Sequence, residues 1–275
     1  MSEVAATEAD LALIRQALTT TQQLHSYHFT LSSRSETTPS RGSGTLRIHG
    51  SGFLSTDDQL PITGWPVSGN GGPTQGDYTA PDQAYWQFPT DSPRAELIRG
   101  NQVFIPDAQH AWIPPQPGDI LLGVPGRVVT DTTATGGTTE RRTVYQPEAN
   151  ILRRWSAILT AQPRYTDVGT EQDQGVTLRQ FRGIIPAPAV PVRQAGTPPP
   201  LMEMGGGQVR LWIDPQTRYV HRFVQQWTVT MHMNMEEMAA TPELAALFPP
   251  AITVTETLTL VLSRHNDPMI SIPAP

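Results

Sequence analysis

Seven histidines and 25 carboxylates are the side chains with which this chain could do acid–base or metal chemistry, and its 275 residues include no cysteine. The lack of thiols removes disulfides, thiolate metal sites and a cysteine nucleophile. The histidines stand at 25, 28, 49, 110, 221, 232 and 265. None forms a helical i, i+4 pair or a zinc-like spacing with a nearby carboxylate. His25 and His28 are close, but they fall where a helical pattern gives way to a strand and would point apart. Gly42-Ser43-Gly44 lacks the spacing and context of a nucleophile elbow. The glycine-rich stretch Gly69 to Gly76 carries no lysine and opens no helix, so it is a poor phosphate loop. Paired acids such as Asp57/Asp58 and Glu236/Glu237 sit in loops or helix starts, where capping and solvation explain them. The expectation is a protein that is not an enzyme and needs neither metal nor cofactor.

Charge narrows the partners. The net charge is −6, the pI is about 5.6, and all 19 basic residues are arginine. No basic face of the kind that neutralises phosphates is expected, so nucleic acid is set aside. Arg141/Arg142 and Arg153/Arg154 are only local pairs, short of a polybasic membrane patch. No run of eighteen apolar residues exists, and Met1 to Asp10 has neither the charged start nor the apolar middle of a signal peptide. The chain is therefore read as cytosolic or as an exported protein whose leader has been removed. The 27 prolines fall between apolar runs, which favours strands joined by rigid loops.

The elements that must position any site follow from periodicity. Thr7 and Asp10 have capping-box spacing, and Leu11, Ile14 and Leu18 recur at helical intervals, predicting a helix from Thr7 to Leu24. The period then changes to two, with Tyr27, Phe29 and Leu31 on one face of a strand. Short strands are expected at Gly44 to His49, Gln83 to Phe88, Ala95 to Arg99, Gln102 to Ile105 and Ala111 to Ile113, with Ser68 to Gly76 as a turn-rich stretch. Gln146 to Gln162 reads as a second helix, with Ile151, Leu152, Trp155, Ile158 and Leu159 in one stripe. Strands are expected at Gly175 to Ile185 and Gln208 to Ile213, around a Pro/Gly-rich loop at 186–207. Asp214-Pro-Gln-Thr217 is a turn leading to a long strand, Arg218 to Met233. Tyr219, Phe223, Trp227, Val229, Met231 and Met233 share one face of that strand; Val220, Arg222, Gln226, Thr228 and His232 share the other. Asn234 to Phe248 reads as a short helical lid before a last strand, Ile252 to Ser263, whose threonines alternate with apolar residues. The expected organisation is one domain at 7–275 behind a disordered tail at 1–6.

An N-terminal helix running into a Tyr/Phe-rich strand, a meander, the Ile213 to Thr217 hairpin and the Asn266 to Pro273 ending together resemble the LolA/LolB lipoprotein-carrier superfamily, including LppX/LprG-type lipoproteins. The resemblance implies an α+β, mostly antiparallel fold: a strongly curved, half-open β-barrel with helices packed on its concave face. It implies an apolar cavity for acyl chains and an extracytoplasmic place in the bacterial cell envelope, with a lipid anchor on a segment absent from this chain. This sequence has no lipobox cysteine, and it is longer than the simplest members, with the excess in Pro/Gly-rich loops.

Binding an acyl chain needs only apolar surface kept from collapsing, and each buried methylene contributes roughly 0.8 kcal/mol. The expected lining is Tyr27, Phe29, Trp155, Phe223, Trp227, Met231, Met233, Met235, Met238, Leu258 and Leu260. The clustered methionines are unbranched and adapt to variable partners. The same residues would equally serve as ordinary core. Glu256 interrupts the apolar face between Val254 and Leu258; there it could hold a polar head group, and it is read instead as lying near a strand end or bulge and reaching solvent. The partner expected is a lipid or an acylated lipoprotein, with membrane-surface contact besides. A non-catalytic structural or protein-interaction module on the same fold, its cavity filled, is the alternative.

Overall fold

The computed structural model describes residues 4–39, 74–88, 94–116, 119, 121, 126–131, 140–145, 150–152, 164–186, 202–232 and 251–275. The first half holds β1 (Val4–Ala5), α1 (Glu8–Gln22), β2 (Ser26–Pro39), β3 (Thr74–Thr79), β4 (Gln83–Phe88), β5 (Arg94–Arg99), β6 (Gln102–Pro106) and β7 (Trp112–Ile113). The second holds β8 (Gly126–Asp131), β9 (Glu140–Tyr145), β10 (Arg164–Asp173), β11 (Val176–Ile185), β12 (Met202–Ile213), β13 (Val220–His232) and β14 (Ala251–Ser263). Twelve strands form one antiparallel sheet in the order β1-β10-β11-β12-β13-β14-β2-β3-β4-β5-β6-β7, while β8 and β9 pair separately. The sheet is a curved, half-open barrel whose ends, β1 and β7, do not meet. Describing it as α+β overstates its helical part, because α1 is the one full α-helix among the described residues.

Two consecutive meanders, β2 to β7 and β10 to β14, are joined edge to edge by β14 and β2, paired without a register break from Ser263↔His28 to Ile252↔Pro39. α1 leaves β1 at one edge and crosses the concave face to β2. Its 15 residues make a rod of about 22 Å, close to the roughly 24 Å of five strand spacings between β10 and β2. Thr7 caps it: the Thr7 side chain accepts from the Asp10 backbone N–H, and Asp10 accepts from the Thr7 N–H at 2.9 Å. At the other end the Thr21 hydroxyl accepts from the Val220 N–H at 2.9 Å. Ile14 and Ala17 are fully buried between these ties, so the helix lies close on the sheet.

One apolar cluster runs from Phe181 on β11 through Leu211, Phe223, Leu260 and Leu31 to Trp86 and Ile98, with Ile14 and Ala17 above it. Residues from both meanders share this core, as a sheet wrapped around its helix requires. Tyr27 stacks on Tyr78 with centroids 4.8 Å apart, and Phe29 meets Trp86 edge-on at 4.7 Å.

Four expectations are corrected. The tail at 1–6 is ordered from Val4, because Val4 and Ala5 pair with Asp167 and Thr166 and the Ala6 N–H reaches the Tyr165 carbonyl. The loop at 186–207 ends earlier: β12 begins at Met202, and the glycines Gly205 to Gly207 lie inside the strand where its register against β13 shifts. The turn reading of Ser68 to Gly76 fails at Thr74, since β3 starts there; Gly76 faces Phe29, whose ring occupies the space a Cβ would need. Val220 belongs with Phe223 and not with Arg222, because a register shift between Trp212 and Ile213 turns the start of β13 by one residue. The strand expected at 44–49 and the lid expected at 234–248 lie outside the described residues, as do all but 150–152 of the expected second helix.

Candidate functional site

The middle of the concave face is built by alternation. On β14, Ile252, Val254, Leu258, Leu260 and Leu262 are buried, while the intervening threonines are half-exposed. Pairing carries the same parity across the sheet: Leu260 lies opposite Phe223 and Leu31, and Phe223 lies opposite Leu211. Of the residues expected to line a binding surface, Tyr27, Phe29, Phe223, Leu258 and Leu260 are buried in one cluster, and Trp227 packs half-buried against it. Met231 holds its place in β13 between Met202 and Ile252. Trp155, Met233, Met235 and Met238 lie outside the described residues.

An apolar cavity of about 20 Å³ separates α1 from this face. Leu18, Thr21 and Gln22 of α1 form its roof with Leu152, and Val220, Phe223, Leu260 and Leu262 form its floor. Such a space holds about one water and is far below the several hundred Å³ of a typical ligand pocket. Only Phe223 and Leu260 of the expected lining border it. Leu18, Leu152 and Leu262 carried the right signal, each being on an apolar stripe; Val220 was hidden by the register shift, and Thr21 and Gln22 by their polarity. The roof is fixed by polar contacts: Asn150 donates to the Gln22 carbonyl at 3.4 Å and accepts from the Tyr27 hydroxyl at 3.1 Å and from the Leu152 N–H at 3.0 Å.

The same face also carries polar groups. Gln225 is 6% exposed and Glu256 is 9% exposed. Glu256 pairs with Trp227 and Ser35 in unbroken register, midway along β14. The reading of Glu256 as a solvent-reaching residue at a strand end or bulge is therefore corrected.

The histidines converge where sequence distance hid it. His221 and His265 meet with ring centroids 4.8 Å apart, and Tyr219 lies 5.0 Å from His265. Burial, followed by the neighbouring His221, pushes His265 down to about 4, against smaller opposing effects of the Val220 backbone and Asp214. Burial lowers His221 as well, against the pull of Asp214 and Asp173. Asp214 is held by its own turn: burial raises its pKa, but the Thr217 hydroxyl at 2.7 Å and the Gln216 N–H at 2.8 Å outweigh this and leave it lowered. His28 lies 2.9 Å from Asp77, its partner across β2 and β3. Among the described residues no three His, Asp or Glu side chains are grouped to hold a metal ion. No helix among them is long and apolar enough to cross a membrane.

No protein-family description matches the sequence, and no curated protein sequence matches it. Among solved structures the chain is similar to the Mycobacterium tuberculosis lipoprotein LppX, with 14% identity and a TM-score of 0.45 over 98% of this chain and 100% of that one. It is similar also to LprF from Mycobacterium bovis, with 14% identity and a TM-score of 0.49 over 98% of this chain and 99% of that one.

Proposed function

We propose that this chain is a non-catalytic, extracytoplasmic binding domain that holds the acyl chain of a lipid or an acylated lipoprotein against its concave face. The observation that carries this reading is the extent of that face. On β13 and β14 Val220, Phe223, Leu258, Leu260 and Leu262 form a continuous apolar stretch, which Val254 and Ile252 extend past the polar Gln225 and Glu256, and α1 lies over a cavity at Val220, Phe223, Leu260 and Leu262. A chain lying along Phe223, Leu258 and Leu260 would gain roughly 0.8 kcal/mol per buried methylene, on the order of 10 kcal/mol for a palmitoyl length before ordering costs. The cavity under α1 would be the seed of that site, widening as α1 lifts. A place in the bacterial envelope, with a lipid anchor and membrane-surface contact, belongs to the same reading.

The small volume of the cavity favours a second reading, a protein-interaction module on the same fold with its concave face filled by its own side chains. Organic extracts of gently purified protein, analysed by mass spectrometry, separate the two. A stoichiometric lipid lost on unfolding is the expected result. Repeated preparations without lipid, together with a failure of the delipidated protein to take up a fluorescent fatty acid, would leave only the filled module.

A further inference from the structure

Val220 is the residue at which the cavity, α1 and the C-terminal segment meet. Its side chain is part of the cavity floor, and its N–H donates to the Thr21 hydroxyl of α1 at 2.9 Å. The residues on either side of it hold His265: the rings of Tyr219 and His221 have centroids 5.0 and 4.8 Å from that of His265. The segment that carries His265 is stitched to the same end of the barrel. The Asn266 N–H donates to the Ser26 carbonyl at 2.8 Å, and the Ser26 hydroxyl donates to the Asp267 carbonyl at 2.9 Å. Arg264 and Asn266, which flank His265, have φ of 54° and 55°, a left-handed backbone that residues other than glycine keep only where contacts hold it.

This packing admits a neutral His265 and resists a charged one. Its Nε2 is buried and has no hydrogen-bond partner, so a proton there would make a charged donor that faces no acceptor. His221, the ring against it, would add a like charge in contact once it too is protonated. Asp214 acts on both rings but already accepts from Thr217 and Gln216 of its own turn, and Asp173 acts on His221 but lies 3.6 Å from Arg222. On the C-terminal segment Arg264 and Asp267 bond each other at 2.7 Å. The end of α1 brings the uncharged Thr21 and Gln22, and β2 is preceded by His25, which is exposed and reaches the segment through its N–H. Burial holds both imidazoles below the ordinary 6.5, His265 at about 4. The packed arrangement therefore binds protons less readily than an opened one, and falling pH favours opening from 6.5 downward.

We propose that His221 and His265 form an acid-operated latch on α1: protonation expels the C-terminal segment from its seat beside Val220, loosens the Val220 tie to Thr21, and lets the C-terminal end of α1 rise from the cavity it roofs. This rests on the acyl-chain reading above and adds to it the condition under which the site admits its chain. In acid the floor formed by Phe223, Leu260 and Leu262 is uncovered. The other end of α1 stays fixed over the same range, because Asp10, which holds the Thr7 cap and accepts from Arg179, has a pKa below 3.8 and remains ionised. The helix thus swings from its N-terminal end.

The test is hydrogen exchange of the full chain at about pH 7.5 and about pH 5, corrected for the intrinsic effect of pH on exchange. Beside it runs uptake of N-phenyl-1-naphthylamine, an apolar dye that stays uncharged over this range. Amides of the last turn of α1 and of residues 264–270 should open roughly thirtyfold more readily at the lower pH, the ratio set by values of about 4 packed and 6.5 released. The first turn of α1 and β11 should keep their protection, and dye uptake should rise with the opening. His265→Gln and His221→Gln should each reduce the pH response of both readouts. Exchange at the end of α1 that ignores pH, or opening that persists in both variants, would overturn the latch and leave acyl binding standing. Loss of protection throughout the sheet at the lower pH would overturn it as well, as general acid unfolding. Opening confined to the end of α1, with no dye taken up at either pH, would keep the latch and remove the acyl reading. The comparison of the two pH values is made on the unaltered protein, so it does not depend on how the variants fold.

Discussion

Arg179 donates to Asp10 of α1 at 2.7 Å and also to Asp167 of β10, while its guanidinium carbon lies 4.9 Å from the centre of the Phe181 ring. It thus ties the N-terminal end of α1 to the sheet. Asp10 is 6% exposed, and burial alone would raise its pKa; the hydrogen bonds from Thr7 and Arg179 outweigh this and lower it. A carboxylate lowered on folding adds stability that is present above its ordinary value of 3.8 and lost as pH falls below it. Arg179→Met, which keeps the stem and removes the fork, is expected to cost about 1–3 kcal/mol in urea unfolding at neutral pH, and to flatten the acid limb of the stability curve. An unchanged urea midpoint would mean that the tie contributes nothing. The Thr7/Asp10 cap was legible because its partners are three positions apart. Arg179 is 169 positions from Asp10, and no local pattern connects them.

Elements were legible where one rule acted alone. α1 matches its helical stripe, β4 matches its alternation to the residue, and the Asp214 turn matches its proline and threonine. β3 and β10 were not. β3 begins with glycine-containing sequence that reads as a turn, and β10 is polar, with a register shift between Asp167 and Gly169 that breaks its alternation. Both are strands because their neighbours supply the ladder, a tertiary effect that propensity does not record. Gly76 makes the point testable. A Cβ there would overlap the Phe29 ring and the Tyr85 carbonyl oxygen. Gly76→Ala should therefore destabilise by about 1–3 kcal/mol, as overpacking does, although alanine ordinarily favours folding over glycine. Equal or greater stability in denaturant titration would show that Phe29 yields without cost. The polar pair Gln225 and Glu256 was hidden for a related reason: its members become neighbours only once β13 and β14 are in register.

Across the whole molecule, the C-terminal segment fastens the two meanders together. The Asn266 side chain accepts from the His25 N–H at 2.8 Å and donates to the Tyr219 hydroxyl at 3.0 Å, and Arg99 on β5 donates to the Pro273 carbonyl at 2.8 Å. His265 sits inside this fastening, its Nε2 buried without a partner. Its folded value of about 4 lies below the ordinary 6.5, so folding favours the neutral ring. The stability that this gives is complete above 6.5 and is lost as pH falls through that window toward 4. Thermal unfolding midpoints should drop over this range in the parent protein and drop less in His265→Gln; parallel curves would exclude His265 as the cause. The pairing of β14 with β2 was beyond sequence reading, because a strand pattern says which face is buried and nothing about which distant strand lies alongside. That pairing also sets an order of events. Until residues 251–263 emerge from the ribosome, the nascent chain can assemble only disconnected half-sheets, and loop closure over more than two hundred residues makes the final joining slow. A sheet whose two halves meet only along one seam can be opened by peeling that seam alone, so pulling β14 off β2 would separate the meanders before either one unravels.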